Sequence, residues 1–314
     1  MRSSRQSMAT AFIHHPDFLM HDMGSQHPEC PARLTAIEDH LLAIGLLQHL
    51  VSETAPAASR EQLLRVHDGQ YIDSIIKASP RDGIVHLDPD TAMNPHTLSA
   101  AFHAAGAVVR ATDMVIGGDA ENAFCNVRPP GHHARRRQAM GFCFFNNVAV
   151  GAAHALAAHG LERVAIIDFD VHHGNGTEDI FAGDGRVMMV STFQHPFYPY
   201  SGTEGRSELM VNIPLAAYSG SVEFRKAVEH FWLPALHGFA PRMVFVSAGF
   251  DAHRDDDMAS LRLVEDDYAW VTRQIMDIAD RHAEGRIVST LEGGYNLPAL
   301  ARSAAAHVRQ LCGI

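Results

Sequence analysis

The stretch AIIDFDVHHGNGTED, residues 165–179, places two acids and two histidines directly after a short apolar run. Such a run is typical of a strand buried on both faces, and Asp168, Asp170 and His172 follow at alternate positions. Alternate side chains of an extended backbone share a face, so we expect these three to project together. Because neighbouring carboxylates are costly to bury without a cation, we predict that Asp170 and His172 bind a metal ion.

Short apolar runs recur along the whole chain, and longer amphipathic stretches separate several of them. About eight runs indicate strands, at residues 10–15, 50–56, 122–130, 163–171, 187–193, 209–215, 243–252 and 286–294. The intervening stretches 59–78, 96–116 and 264–285 repeat apolar residues every three or four positions, as helices do. Continuous hydrophobicity in the runs predicts a parallel sheet covered on both faces. We therefore expect an α/β protein, a three-layer αβα sandwich forming one domain over residues 1–314.

Composition limits the classes of partner. The 314 residues include 36 acidic and 25 basic ones, a formal charge of -11, which argues against binding to nucleic acid or an anionic membrane and favours cationic substrates. The four cysteines are scattered, which suggests neither a disulfide framework nor a structural zinc site. No apolar run approaches a membrane span, and the N-terminus lacks a signal-peptide core. We expect a soluble, cytoplasmic protein.

A third metal ligand is expected from another strand, since a catalytic zinc site normally takes three protein ligands. The stretch MVFVSAGFDAH, residues 243–253, has the same arrangement of a buried strand followed by an acid. Asp251 is that acid. Long loops at 128–141, 193–207 and 251–262 also follow strand ends, where open α/β sheets bind their ligands.

Acid–base groups are predicted in the stretch NVRPPGHH, residues 126–133, which delivers two adjacent histidines after a strand. His132 and His133 are suited to act as general base and general acid. Asp168 can accept a hydrogen bond from one imidazole and Asn175 can orient the other. Because only a carboxylate raises the basicity of its partner, the two histidines should differ in proton affinity.

The stretch LEGGY, residues 291–295, ends a further predicted strand. Its two glycines permit a tight turn, which frees Tyr295 to point into the crevice. A phenol there could donate a hydrogen bond to an oxyanion that develops on the substrate.

Taken together, the motifs HPECPARL, RPPGHHA, GFCFFNN, DFDVHHGNGTED, SAGFDAH and LEGGY resemble the zinc-dependent histone deacetylase family, in particular its class II-like and bacterial amidohydrolase members. The resemblance runs from about residue 12 to residue 311. It implies the arginase-deacetylase fold with an eight-stranded, mostly parallel sheet, and one catalytic Zn²⁺. It also implies that Asp170, His172 and Asp251 are the zinc ligands and that Tyr295 polarises the substrate carbonyl.

The resemblance implies further roles outside the metal group. A structural K⁺ site would involve Asp168, Ser191 and Thr192. Substrate-binding positions would be Gly141, Phe142, Tyr198, Asp90 and Met258: the two aromatic residues line a channel for lysine methylenes, and Asp90 is a rim acid. Arg33 matches an arginine near an internal acetate channel. Asn175 stands where class I members have aspartate, and Met258 stands where polyamine-selective members have glutamate.

Three hypotheses of function remain at this stage. The first is zinc-dependent hydrolysis of acylated, chiefly acetylated, lysine side chains to acetate and free amine. The second is an amidohydrolase for acetylpolyamines or other small acylamines, which the acidic composition favours and Met258 disfavours. The third is a non-catalytic binding module that keeps the fold, although no ligand or tyrosine has been lost. The substrate and the oligomeric state, a homo-oligomer included, stay open.

Overall fold

A computed structural model describes residues 9–204 and 207–314 of the chain. It contains ten strands, which are β1 Thr10–His14, β2 Leu50–Thr54, β3 Val85–His86, β4 Ala92–Met93, β5 Asn122–Cys125, β6 Val164–Asp168, β7 Val187–Gln194, β8 Met210–Leu215, β9 Val244–Ala248 and β10 Ile287–Leu291.

Ten α-helices alternate with the strands along the described residues. They are α1 Ala32–Ala43, α2 Arg60–Leu64, α3 Gly69–Ala78, α4 Thr97–Gly117, α5 Asn147–Ala158, α6 Asn175–Phe181, α7 Ser221–Ala227, α8 Leu233–Phe239, α9 Glu265–His282 and α10 Leu297–Leu311. Two short 3₁₀ helices cover Pro16–Leu19 and Leu47–His49, and a π-helical segment, Val228–Trp232, joins α7 to α8.

Eight strands form one parallel sheet in the order β2-β1-β5-β10-β9-β6-β7-β8, and β3 pairs with β4 in a separate hairpin. Every residue of β5, β6, β7, β9 and β10 is buried, so helices must cover both faces of the sheet. The helices α1, α9 and α10 pack together, as do α4 and α5. The predicted three-layer α/β fold with an eight-stranded sheet is confirmed, and each of the eight predicted runs contributes one strand.

The functional residues follow four strands that are neighbours in the middle of the sheet, β5, β10, β9 and β6. These strands are far apart along the chain, yet their parallel pairing brings their carboxyl ends to one edge. Loops after them therefore meet in a single crevice.

Two local expectations differ from the structure. The edge strand β2 is largely exposed, because only β1 pairs with it and hydrophobicity alone does not reveal strand order. The stretch 59–78 forms two helices rather than one. Ser59 caps α2 through a capping box with Gln62, and the Asp68 side chain accepts the Gln70 amide to begin α3 anew.

Within the described residues, none of the helices has the length and apolar character needed to cross a lipid bilayer. Residues 1–8, where the sequence predicts no signal-peptide core, lie outside the described part of the chain, as do residues 205 and 206 of the predicted loop 193–207.

Candidate active site

The residues predicted as metal ligands converge at the carboxyl ends of β6 and β9. Asp170, His172 and Asp251 are buried, and one potential donor atom from each lies within 4.8 Å of the others. Nδ1 of His172 is 3.0 Å from Oδ1 of Asp170 and 3.3 Å from Oδ2 of Asp251. Ligand atoms about 2.0 Å from a tetrahedral ion are about 3.3 Å apart, so this spacing fits Zn²⁺.

An unpartnered carboxylate oxygen among these three residues also indicates a cation site. Oδ2 of Asp251 is buried with no hydrogen-bond partner, which is costly for a carboxylate oxygen. Burial and then the neighbouring carboxylate of Asp170 raise the pKa of Asp251 to about 6. A divalent ion between the two acids would remove their repulsion and keep both ionised.

The local backbone differs from the extended conformation that the alternating pattern predicts. Strand β6 ends at Asp168, and the following residues form successive side-chain-capped turns. Oδ1 of Asp168 accepts the amide of Asp170 at 3.0 Å, and Oδ1 of Asp170 accepts the amide of His172 at 2.9 Å. Asp170 and His172 thus reach the site from turns, because each Asp competes for the backbone amide two residues later.

Gly293 makes room for the metal group. A Cβ at this position would lie 2.1 Å from Oδ2 of Asp251 and 2.7 Å from Oδ2 of Asp170. Its amide donates to Oδ2 of Asp170 at 2.9 Å. Any larger residue here would displace the carboxylates, so the glycine is required by close approach.

His132 is paired with a carboxylate, as predicted. Its Nδ1 donates to Oδ2 of Asp168 at 3.0 Å, and both side chains are buried. Burial alone would lower the pKa of His132, but the carboxylates of Asp170 and Asp168 outweigh it and raise that pKa well above its usual value.

His133 is paired with an amide instead. Its Nδ1 donates to Oδ1 of Asn175 at 2.7 Å, while Nδ2 of Asn175 donates to Sδ of Met140 at 3.3 Å. Burial and the imidazoles of His132 and His172 lower the pKa of His133 well below its usual value. Because Nδ1 donates to Asn175, Nε2 of the neutral ring is left as an acceptor, and the two histidines have partners of different charge.

All five predicted substrate-binding residues line one pocket with a volume of about 150 Å³, together with His132, His133, His172 and Tyr295. Its walls and floor are formed by Asp90, Pro130, His132, His133, Gly141, Phe142, His172, Phe197, Tyr198, Met258, Gly293 and Tyr295. A narrow pocket with aromatic walls and a polar floor suits an extended chain that ends in a polar group.

One wall of the pocket is held in an uncommon backbone conformation. Phe142 has φ 68°, and its amide donates to Oγ1 of Thr91 at 3.2 Å. Gly141 has φ 57°, and a Cβ there would lie 2.4 Å from the His133 ring. The ring of His27 packs edge-on against Phe142, with centroids 4.6 Å apart.

The opposite wall comes from the loop after β7. The Tyr198 ring lies edge-on to His133 at 5.3 Å, and the Phe197 ring stacks on His172 at 5.4 Å. At the mouth, burial and then Asp88 raise the pKa of Asp90, whose carboxylate also accepts a hydrogen bond from Thr91. Met258 presents an apolar surface to the same mouth.

Tyr295 lies at the floor, partly buried, with its ring 6.0 Å from that of Phe142. Burial and then the carboxylate of Asp251 raise the pKa of Tyr295 well above its usual value, so the phenol keeps a proton to donate. The guanidinium of Arg33 lies 5.0 Å from the centre of the Tyr295 ring, on the interior side of the pocket floor.

The predicted potassium residues lie beside β6. Ser191 and Thr192 are buried in β7, and Ser191 is the register partner of Asp168. Oγ of Ser191 is buried without a hydrogen-bond partner, which a cation at this point would supply. The side chains are thus compatible with a monovalent ion.

His173 is buried on the side away from the metal group. Its Nδ1 contacts Oγ of Ser201 at 2.9 Å and its Nε2 lies 2.8 Å from Oε2 of Glu178. These contacts indicate a structural role for His173.

Two other groups of histidine and aspartate lie close together among the described residues, but their geometry differs from that of metal sites. His15 and His103, beside Asp17, have parallel rings stacked 3.6 Å apart at an interplanar angle of 11°. Parallel stacked rings cannot both point their nitrogen lone pairs at one ion.

The second group has hydrogen-bond spacing instead. Nε2 of His154 and Nε2 of His159 each lie 2.7 Å from the same oxygen of Asp113. Arg65 donates to Nδ1 of His154 at 2.7 Å, which leaves the proton of a neutral ring on Nε2. Nε2 of a neutral His154 therefore donates to Asp113, and the 2.7 Å spacing of both Nε2 atoms to one oxygen is that of hydrogen bonds.

Sequence reasoning missed three residues that shape the site. Phe197 lines the pocket, and the aromatic and proline-rich stretch FYPY could have indicated it. Asp256 accepts the amides of Tyr295 and Asn296, at 2.6 and 2.9 Å. Glu292 accepts a hydrogen bond from the amide of Gly131, in the loop that bears His132 and His133. It is the second residue of the LEGGY motif. The last two act through tertiary contacts, for which the sequence has no local signal.

Comparison with known proteins gives concordant results. The family model described as histone deacetylase domain matches residues 27–311. The histone deacetylase-like amidohydrolase of Pseudomonas aeruginosa is 39% identical over 295 residues, which cover 92% of this chain and 77% of that protein. The mouse protein named polyamine deacetylase HDAC10 is 36% identical over 333 residues, covering 98% of this chain and 48% of that protein.

A solved structure agrees with the same assignment. The crystal structure of the HDA15 HD domain superposes with a TM-score of 0.91 at 33% sequence identity, covering 98% of this chain and 90% of that one. Fold and site together define a hydrolytic enzyme with a three-layer α/β fold. The chain belongs to the histone deacetylase family and is an enzyme of the deacetylase and amidohydrolase type.

Proposed function

We propose that the protein hydrolyses the amide of N-acylated, chiefly acetylated, lysine side chains, with Zn²⁺ bound by Asp170, His172 and Asp251. One observation carries the proposal: a pocket with aromatic walls ends at His172, the histidine pair and Tyr295, and the carboxylates of Asp170 and Asp251 lie beside His172. An extended aliphatic chain fits between Phe142 and Tyr198, and its terminal amide would meet the polar floor.

The chemistry divides among the groups on the floor. A bound zinc ion would supply a Lewis acid that polarises the acyl carbonyl and acidifies a water molecule. With its Nδ1 donating to Asn175, His133 presents Nε2 as the acceptor for the proton of the attacking water. Tyr295 donates a hydrogen bond to the oxyanion of the tetrahedral adduct. The histidine pair returns a proton to the amine nitrogen, giving a carboxylate and a free amine.

We further propose that Asp168 has two functions. Its Oδ2 holds His132 in the orientation needed for proton transfer, and with Ser191 and Thr192 it would bind a structural K⁺. The unpartnered hydroxyl of Ser191 supports the second function.

An acetylpolyamine or another small acylamine is the alternative substrate class. The charge of -11 favours a polycation, and the mouse relative carries the name polyamine deacetylase. Met258 favours acyl-lysine over polyamine substrates, because an apolar side chain at the mouth of the pocket offers no partner to a second ammonium group. A non-catalytic binding module would be expected to lose a ligand or Tyr295, and this chain keeps all of them.

The proposal is tested with a panel of acyl-lysine peptides and acetylpolyamines, assayed with zinc-replete protein. We expect release of acetate from the peptides, which keep the lysine with a free ε-amine. Turnover of polyamines alone would replace the substrate class, and no turnover on any substrate would favour the binding module.

We also propose that residues 1–314 form a single catalytic domain that works in the cytoplasm without binding nucleic acid or membranes. The continuous sheet uses strands from both ends of the chain, and all four cysteines are free. Size-exclusion chromatography with light scattering would establish whether it forms a homo-oligomer.

A further inference from the structure

The carboxylate of Glu292 is fully buried between the end of β10 and the loop that bears the histidine pair. Its Oε2 accepts the amide of Gly131 at 2.7 Å and the amide of His132 at 3.0 Å. Its Oε1 accepts the hydroxyl of Ser247 at 3.1 Å. Both oxygens are thus occupied by groups of the protein itself, and two buried amides of the histidine loop have Glu292 as acceptor.

The main chain around Glu292 is held from the other side by α1. Nη2 of Arg33 donates to the carbonyl of Glu292 at 2.5 Å, and its Nε donates to the carbonyl of Gly294 at 2.6 Å. Tyr295 follows immediately in the chain. Glu292 is therefore bonded to the histidine loop through its side chain, while its backbone belongs to the turn that presents Tyr295.

The start of the histidine loop is tied to the same guanidinium through a buried acid. Glu29 accepts from Nη1 of Arg33 at 2.9 Å and from Nη2 of Arg128 at 2.8 Å, and all three side chains are fully buried. Arg128 precedes the segment Pro129–Gly131. The loop with the histidines and the turn with Tyr295 are thus connected twice, through Glu292 and through Glu29 with its two arginines.

We propose that Glu292 is a positioning residue that fixes the histidine pair relative to Tyr295, and that it acts through its hydrogen bonds and not through its charge. The inference rests on the proposed function, which requires these groups to act on one amide. A shift of about 1 Å in a catalytic group can cost on the order of 10²-fold in rate. The amides of Gly131 and His132 are buried, so they need an acceptor at this place.

Two substitutions separate hydrogen bonding from charge. Glu292→Gln removes the charge but keeps the length: its carbonyl oxygen can accept both amides, and its amide can donate to Ser247. Glu292→Asp keeps the charge but shortens the side chain by one methylene group. We expect kcat of Glu292→Gln to stay within about threefold of wild type with an unchanged pH profile. Glu292→Asp should lose on the order of 10²-fold in kcat, with KM changed less than about threefold.

Asp267→Asn is the matched control for disturbing a buried carboxylate. Asp267 is fully buried and bonded to Ser221, Arg225 and the amide of Val264, away from the pocket. The Asp267→Asn substitution should lower the thermal stability of the protein but leave kcat unchanged. If Glu292→Gln loses activity and shifts the pH profile while Glu292→Asp does not, the residue acts by charge and the proposal is wrong.

A second measurement does not depend on turnover. NMR-detected hydrogen exchange of the Gly131 and His132 amides should quicken by about tenfold or more in Glu292→Asp and stay near wild type in Glu292→Gln. Equal exchange in all three proteins would overturn the positioning role. An inactive wild-type protein would contradict the proposed function alone, because the exchange comparison would still be decisive for Glu292.

Discussion

Nδ1 of His132 donates to Oδ2 of Asp168 across 3.0 Å, whereas its neighbour His133 makes the corresponding contact with the amide oxygen of Asn175 at 2.7 Å. Two adjacent imidazoles thus have partners of different charge. A carboxylate stabilises the protonated ring, and an amide only orients it. The assignment of base and acid within the pair depends on this difference.

Exchanging the amide for a carboxylate should move the pH profile. In Asn175→Asp the new charge raises the pKa of His133, so the base is protonated up to a higher pH. We expect the acidic limb of the kcat/KM profile to shift to higher pH, by about one unit. The profile is measured with an acetyl-lysine peptide from about pH 4 to pH 9, so that the range extends well below the usual histidine pKa of about 6.5. A profile identical to wild type would contradict the assignment of His133 as base.

Removal of the phenol should leave metal binding intact but slow the reaction. We expect Tyr295→Phe to lose on the order of 10² to 10³ in kcat, as expected for an oxyanion donor. Tyr218→Phe is the control, because Tyr218 is exposed and packs on Arg262. Zinc content measured by plasma emission should be the same in both variants. Full activity of Tyr295→Phe would refute its role.

Zinc binding should require Asp170, His172 and Asp251, and neither of the two other histidine–aspartate groups. A strong chelator is expected to abolish activity and lower Tm, since the ion stabilises the folded state by about 2.7 kcal/mol at a free concentration of 100 Kd. Zinc should restore both. Asp251→Asn should lose tightly bound zinc, whereas Asp113→Asn, in the hydrogen-bonded group, should retain it. The reverse pattern of zinc stoichiometry would show that the site is misassigned.

The mouth of the pocket should control the choice of substrate. Met258→Glu adds a carboxylate where a second ammonium of a polyamine would lie, and about 1.4 kcal/mol of attraction corresponds to a tenfold effect. We expect kcat/KM for acetylpolyamines to rise about tenfold relative to acetyl-lysine peptides. Met258→Gln, of similar size and without charge, should leave the ratio unchanged. If the ratio of kcat/KM for acetylpolyamines to that for acetyl-lysine peptides is unaltered in both variants, Met258 does not determine substrate specificity.

Acid should destabilise the fold through His67. Its Nδ1 donates to the carbonyl of Arg135 at 3.1 Å and its Nε2 accepts the amide of Asn146 at 2.9 Å, so the folded state needs the neutral ring. Burial lowers the pKa of His67 to about 4. Below about pH 6.5 the unfolded chain binds a proton that the folded chain does not. The free energy of unfolding should therefore fall with pH down to about 4, by on the order of 3 kcal/mol from this group.

Urea unfolding at several pH values measures this dependence. His67→Gln should be less stable overall. Between about pH 4 and pH 6.5 its free energy of unfolding should also change less steeply with pH, because the variant lacks the one proton that unfolded His67 binds. His86→Gln, at an exposed position, should keep the wild-type slope. A wild-type slope in His67→Gln would mean that other groups cause the acid sensitivity.

The sequence predicted the sheet and the chemical groups because both leave local patterns. Strands buried on both faces are continuously apolar, and a polar residue at the end of a parallel strand points to the ligand edge, as Asp251 does after β9. The turns at Asp168 and Asp170 were not predicted, since alternation along a sequence does not distinguish a strand from side-chain-capped turns.

The residues that hold the site in place could not be predicted from the sequence, and the reason is a different one. Glu292 and Asp256 bind amides that are 161 and 39 positions away along the chain, so their partners are known only once the loops are placed. Phe197 lines the pocket because of the path of the loop after β7, and this loop has no periodic sequence pattern. The acidic, basic and aromatic residues were visible in the sequence, but their distances were not.

The position of β10 in the sheet has a consequence during synthesis. This strand follows all the other described strands in the sequence, yet it lies between β5 and β9 and hydrogen-bonds to both. A nascent chain that has emerged only as far as β9 lacks the central strand, Glu292 and Tyr295. The enzyme can therefore become active only after β10 and Tyr295 have left the ribosome, and until then the apolar edges of β5 and β9 need protection from aggregation.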